Sequence, residues 1–175
     1  MNLFHEFYVQ PMIRVYFETL AMYCIWLGVM QLTHGRTRRV ISGIGVCLSV
    51  ILIIIFTLYG RKIGGKTEIS LIPFITFINA RTLPELYRTM FMNMLLFMPF
   101  GLSLPFMLPG KINNKPVITI ICGFVLSSVI EAVQFFCKIG CCETDDVIMN
   151  TLGVTIGVTS YIIVSLVETR RQRND

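Results

Sequence analysis

Charge is scarce in this chain: Asp, Glu, Lys and Arg fill only 14% of its 175 positions, against 54% for hydrophobic residues. A water-facing domain carries nearer a quarter of charged residues, so a soluble globular fold is excluded. Histidine is also rare, with two residues in all, and no Cys-x-x-C pair occurs. Structural zinc sites are built from such groups, which leaves the Cys137, Cys141 and Cys142 cluster without the usual companions of a metal site. A disulfide there would require an oxidising, extracytoplasmic turn. The sequence also lacks a serine–histidine pairing and a phosphate-cradling glycine loop. The N-terminal tail has no basic stretch, and no small-residue cleavage site follows the first apolar run, so that run reads as a retained helix.

What is present is a series of apolar runs near 15–33, 40–60, 88–108, 116–137 and 146–167. Each approaches the roughly 20 residues that a helix needs to cross the hydrocarbon core, and mean hydropathy is +0.71. The expected architecture is all-α: a polytopic membrane protein of about five transmembrane helices, multi-pass in the cell membrane, with 1–175 forming one domain. Three of the cysteines, Cys24, Cys47 and Cys122, fall in spans, where a thiol behaves as a small apolar group. His5 and His34 read as surface residues.

The runs differ in what interrupts them. Arg14 and Glu18 are spaced to pair at the start of the first. The second, from Val40 to Gly60, contains no charge and reads as lipid-facing scaffold, with Gly43 and Gly45 available for helix packing. Between the second and third runs, Ile69 to Ile78 is apolar but too short to span, and Pro73 breaks it; a re-entrant or interfacial segment fits. Thr82, Pro84 and Glu85 then read as a capped helix start. In the third run Pro99 and Pro105 predict kinks, and Asn93 must hydrogen-bond inside the bundle, either as glue or as a ligand contact.

Glu131 is the costliest residue in the chain, because a carboxylate near mid-bilayer costs at least about 2.5 kcal/mol on insertion scales. Gly123, Ser127, Glu131, Gln134 and Lys138 recur at spacings of four, four, three and four, so they share one helical face. A short turn, Lys138 to Thr144, folds the last two runs into an antiparallel hairpin. That brings Glu131 and Gln134 toward Asp145 and Asp146 at the next helix start. Carboxylates there favour the positive end of the helix dipole, and Thr144 or Asp145 can cap it. Asp146 is expected to point inward with Asn150, Gly153 and Gly157, the two glycines forming a small-xxx-small contact.

The candidate functional site is therefore Asn93, Glu131, Gln134, Asp145, Asp146 and Asn150, with Pro99, Gly101, Gly153 and Gly157 serving helix packing. Several carboxylates in a poorly hydrated site cannot all stay charged without a cation or a shared proton. Three readings remain open: a divalent cation on oxygen ligands, protons held for coupled transport, or a buried network with the neighbouring amides. No resident cofactor is assigned beyond the cation of the first reading, and no catalytic residue can be named.

Four ordered segments carry a resemblance. Leu71-Ile72-Pro73-Phe74 is similar to an N-L-I-P-F segment, with Ser70 in place of its asparagine. Asn93 to Gly101 resembles N-x-x-L-F-x-P-x-G, Ser127 to Gln134 resembles S-x-x-x-E-x-x-Q, and Asp145 to Gly153 resembles D-D-x-x-x-N-x-x-G. In that order they resemble the VanZ-like membrane proteins associated with teicoplanin resistance. The resemblance covers roughly Ile69 to Gly157 and implies lowered susceptibility to teicoplanin or a related glycopeptide acting on the cell envelope. Many relatives carry an arginine in the last turn, where this chain has Gly140-Cys141-Cys142, so an arginine-clamped anion is not implied; Lys138 would supply only a point charge. Alternatives of other classes are a metal-dependent enzyme acting on lipid phosphates, a small proton-coupled carrier and a structural scaffold.

The net charge of +5 belongs to loops that meet anionic lipids, and no nucleic-acid partner is expected. Partners are membrane lipids, with a glycopeptide antibiotic or a lipid-linked cell-wall precursor as the candidate ligand. Eight Lys and Arg fall on the C-terminal tail's side of the membrane and seven opposite. Arg170, Arg171 and Arg173 favour a cytoplasmic C-terminus.

Overall fold

A computed structural model describes residues 10–58, 69–70, 72–74, 78, 85–139 and 142–174. They form α1 (Gln10–Leu32), α2 (Gly35–Leu58), the two-residue strand β1 (Ile69–Ser70), α3 (Glu85–Met107), α4 (Lys115–Phe136), the two-residue strand β2 (Cys142–Glu143) and α5 (Thr144–Asn174). All five helices are long and apolar enough to cross a membrane. At about 1.5 Å per residue, even the 22 residues of α4 exceed the roughly 30 Å hydrocarbon core. α5 runs past the expected end at 167 because its polar tail, Glu168 to Asn174, stays helical beyond the apolar segment. The capped helix start at Thr82 and Pro84 lies outside the described residues.

α3 is the centre of the bundle, with 56% of its span buried against 11–33% for the other four. It packs on α5 over more of its length than on any other helix, and the sequence explains how closely. A Cβ on Gly153 would lie 2.1 Å from the Met94 carbonyl oxygen, and one on Gly157 2.2 Å from that of Met98. From the other side, a Cβ on Gly101 would lie 2.2 Å from the Val154 carbonyl oxygen. The two backbones therefore touch, running parallel. In lipid, where helices gain nothing from leaving water, such van der Waals contact between small residues drives association.

Around this seam Phe97, Phe100 and Leu104 of α3 pack with Ile53 of α2, Ile130 of α4 and Val154 and Val158 of α5. α1 lies on the outside, where Tyr23 and Met30 meet Leu95, Met98 and Leu102. Despite Pro99 and Pro105, α3 is unbroken. Each proline removes the bond to the carbonyl four residues back, and the packed neighbours hold the helix together.

α2 departs from its reading as lipid-facing scaffold. Arg38, Ser42, Gly45, Ser49, Ile53 and Thr57 are all buried, at spacings of three and four that place them on one face, and that face lies on α3. Ser49 and Thr57 satisfy their hydroxyls on the carbonyls of Gly45 and Ile53, at 2.7 and 2.6 Å. A dry interior demands such internal pairing. Buried Ser, Thr, Asn, Gln and carboxylates sit among the apolar core residues, while Phe17, Phe56 and Phe136 stand 65–79% exposed. Lipid is the environment that suits such a surface.

Replacing Gly157 with valine would force the α3–α5 seam apart. Overpacking of this kind costs about 1–3 kcal/mol or more, so thermal unfolding in detergent should drop by several degrees. Gly28→Ala, at a position with no atom within 4 Å, should leave the transition in place. Equal unfolding temperatures for Gly157→Val and the parent would show that the seam is not close-packed.

Candidate functional site

The site begins with the buried face of α4, which holds Gly123, Ser127, Glu131 and Gln134. Lys138 does not continue this stripe, although the spacing places it there. α4 ends at Phe136, and Lys138 adopts a left-handed backbone with φ 55°. Its amide bonds the Phe135 carbonyl, and the Ile139 amide bonds that of Gln134, at 3.1 and 3.0 Å. This is the pairing of a Schellman helix end, and it turns Lys138 outward into an exposed position. A cation here complements the negative end of the α4 dipole.

Beyond the turn, three chain segments are tied together. Glu143, which immediately precedes α5, donates its amide to Glu131 Oε2 at 3.0 Å. β1 and β2 pair in parallel, Ile69 with Cys142 and Ser70 with Glu143. The Phe74 amide donates to Asp145 Oδ1, from a residue whose φ of 64° is left-handed. Phe74, the last residue of the proline motif, is thereby fastened to the start of α5. Asp145 reaches out to this segment rather than serving only its own helix as a cap. Burial is nearly complete for all three carboxylates, with Glu131 3%, Asp145 2% and Asp146 8% exposed. Glu131 and Asp145 each accept a backbone amide, and Asp145 and Asp146 stand in the first turn of α5, at its positive end.

Deeper in the bundle, Asn150 Nδ2 donates to Ser127 Oγ at 2.8 Å, joining α5 to α4. Gln134 turns the other way: its Nε2 donates 3.1 Å to the Thr57 carbonyl, in the last described turn of α2. The Asn150 carbonyl oxygen meets no donor among the described residues. Asn93 on α3 is half-buried, and its side chain forms no hydrogen bond among the described residues. Hydrogen bonds thus join Glu131, Asp145, Gln134 and Asn150 to elements of one end of the bundle, with α2 as a further member; Asp146 is buried beside them.

Among the described residues, no three His, Cys, Asp or Glu side chains are placed to share a metal ion. Cys137 is an exposed free thiol, and the side chains of Cys141 and Cys142 lie outside the described residues. A second polar cluster, at the opposite end, escapes a reading of the sequence. Arg38 Nη1 pairs with Glu168 Oε2 at 2.7 Å, and His34 Nδ1 lies 2.9 Å from Glu168 Oε1. The i, i+4 spacing of His34 and Arg38 is visible in the chain, but their partner is 130 or more positions away.

Removing the Glu131 or Asp145 carboxylate should release its bonded amide. Hydrogen bonds to charged acceptors contribute about 1.5–3 kcal/mol, so amide exchange at Glu143 in Glu131→Ala, and at Phe74 in Asp145→Ala, should quicken by roughly tenfold or more. Because β1 and β2 are paired, exchange at Ser70 should follow in both variants. Unchanged exchange, measured by mass spectrometry in detergent, would show that these bonds do not hold the segment.

A family model described as VanZ/LLP1 matches residues 44–165. The match takes in most of α2, all of α3 and α4 and most of α5, and all four ordered motifs fall inside it. No curated protein and no solved structure compared with the chain gave a significant match. With well over half of its length covered, the chain belongs to the VanZ/LLP1 family.

Proposed function

We propose that this protein lowers the susceptibility of the cell to teicoplanin or a related envelope-directed antibiotic, acting without covalent chemistry through the polar end of its helix bundle. Family membership over residues 44–165 is the observation that carries the reading, because the matched stretch contains every residue of the buried polar site. Charge supports a consistent orientation in the cell membrane. At the opposite end the described residues include eight cations, Arg36, Arg38, Arg39, Lys111, Lys115, Arg170, Arg171 and Arg173, and one carboxylate, Glu168. Seven Lys and Arg lie on the other side of the membrane against these eight, so the tail arginines, Arg170, Arg171 and Arg173, carry the choice of a cytoplasmic C-terminus. That choice turns the Glu131, Asp145 and Asp146 end outward, where a glycopeptide or a lipid-linked wall precursor would meet it.

Asn150 gives this reading a chemical handle. Its carbonyl oxygen is buried without a donor among the described residues, close in the chain to two buried aspartates, and an unpaired buried acceptor favours a ligand that brings an N–H or O–H group. Teicoplanin susceptibility compared across cells carrying the parent, Glu131→Gln and Asp146→Asn, with vancomycin as comparator, tests the assignment. Both variants should raise teicoplanin susceptibility toward that of cells without the protein, at equal membrane abundance. Full resistance in both variants would remove the carboxylates from the function, and no protection by the parent would remove the function itself.

A further inference from the structure

The end opposite the polar site contains a cavity of about 410 Å³ between the α1–α2 turn and the last turns of α5, with His34, Arg38, Val164, Glu168, Arg171 and Gln172 among its walls. Its size falls within the ~300–1,000 Å³ range of small-molecule sites. The polar walls all lie outside residues 44–165, so the family match does not account for them.

Arg38 is the fixed element of this cavity. Its side chain is 9% exposed, its Nε donates to the Thr33 carbonyl at 2.5 Å, and its guanidinium carbon sits 4.8 Å from the centre of the Phe106 ring. Its Nη1 holds Glu168 Oε2, while Nη2 lies 2.9 Å from His34 Nδ1. The second Glu168 oxygen faces His34 Nδ1. The carboxylate in the cavity wall is therefore held by Arg38, and its charge is matched by the guanidinium rather than left to repel an incoming anion.

Arg171 lies three residues beyond Glu168 on α5 and lines the same cavity. It forms no ion pair among the described residues, and Glu168, the carboxylate one turn before it, is already paired with Arg38. Exposed apolar side chains flank this end, with Leu32 81% and Leu166 58% exposed, on surfaces where acyl chains would lie. Basic pockets between transmembrane helices at such a depth suit phosphate-bearing headgroups.

We propose that this cavity binds the phosphate of an anionic phospholipid, with Arg171 as the charge contact and the Arg38–Glu168–His34 cluster as its rigid wall. This site is independent of the polar end proposed to act in resistance. The test uses the full chain in detergent, titrated separately with phosphatidylglycerol, phosphatidylcholine and inorganic phosphate, with bound lipid followed by native mass spectrometry. Phosphatidylglycerol should be retained in preference to phosphatidylcholine, and Arg171→Gln should weaken that retention at least about fivefold, the effect of one basic residue at an anionic surface. Arg173→Gln makes the same change in net charge outside the cavity and should leave retention intact. Equal losses in the two variants, or equal retention of the two lipids, would overturn the proposal. Binding of inorganic phosphate with no preference for the lipid would overturn the lipid assignment.

Discussion

The contact of the α3 and α5 backbones sets the geometry of everything else. Two parallel helices that touch at Gly101, Gly153 and Gly157 leave no room between them for side chains. The apolar groups are displaced to the flanks of the seam. Val154 is one of these, and it projects toward α4, where a Cβ on Gly123 would come within 2.4 Å of it. α4 is thus seated by the same residue whose carbonyl presses on Gly101. Once α4 is seated, Ser127 stands opposite Asn150, and the end of α4 delivers Glu131 to the entrance of α5. Packing of small residues, which in lipid takes the place of the hydrophobic effect between helices, is therefore what positions the polar site.

The polar residues in turn solve a problem that packing cannot. Helix ends leave amides and carbonyls without partners, and near a membrane interior water is a poor source of replacements. Gln134 supplies a donor to the last turn of α2, Glu131 accepts the amide just before α5, and Asp145 accepts the amide of Phe74. Both carboxylates lie toward helix ends, Glu131 in the last third of α4 and Asp145 in the first turn of α5. Insertion there costs less than the ~2.5 kcal/mol of a helix centre, and a charged hydrogen bond contributes about 1.5–3 kcal/mol. The bonded amide therefore offsets much of the cost of placing a carboxylate there. They also give definition: three segments separated in sequence are fixed in one arrangement.

Much of this arrangement is legible in the amino-acid sequence. Spans can be read because apolar runs of about 20 residues have few other uses, and the stripe from Gly123 to Gln134 follows from helical periodicity. Asp145 and Glu131 stand out because charge inside an apolar stretch needs a partner. The identity of those partners is not legible. Gln134 pairs with Thr57, 77 positions away, and nothing local marks a backbone carbonyl as an acceptor. The buried face of α2 is hidden for a different reason. Serine, glycine and threonine are only weakly polar or apolar, so a run without charge looks uniform although its small residues recur every three or four positions. Lys138 fits the stripe by counting alone, and the left-handed turn that ends α4 takes it out of phase.

The two ends of the bundle are also mechanically linked, and α2 and α5 are the links. At the end of the matched motifs, α2 is held through Thr57 and α5 through Asp145 and Asn150. At the other end, Arg38 of α2 and Glu168 of α5 are joined directly at 2.7 Å. The salt bridge is partly buried, so removing one partner would leave a charge poorly solvated, a larger loss than the pair itself contributes. Sliding either helix along its axis would break bonds at both ends, and for α5 it would also drive Cβ atoms into the glycine seam. Such a bundle resists axial shifts, and at the polar end two short pieces of chain outside the long helices, around Phe74 and Glu143, are fastened to it by hydrogen bonds. Those are the segments that Asp145 and Glu131 hold in place.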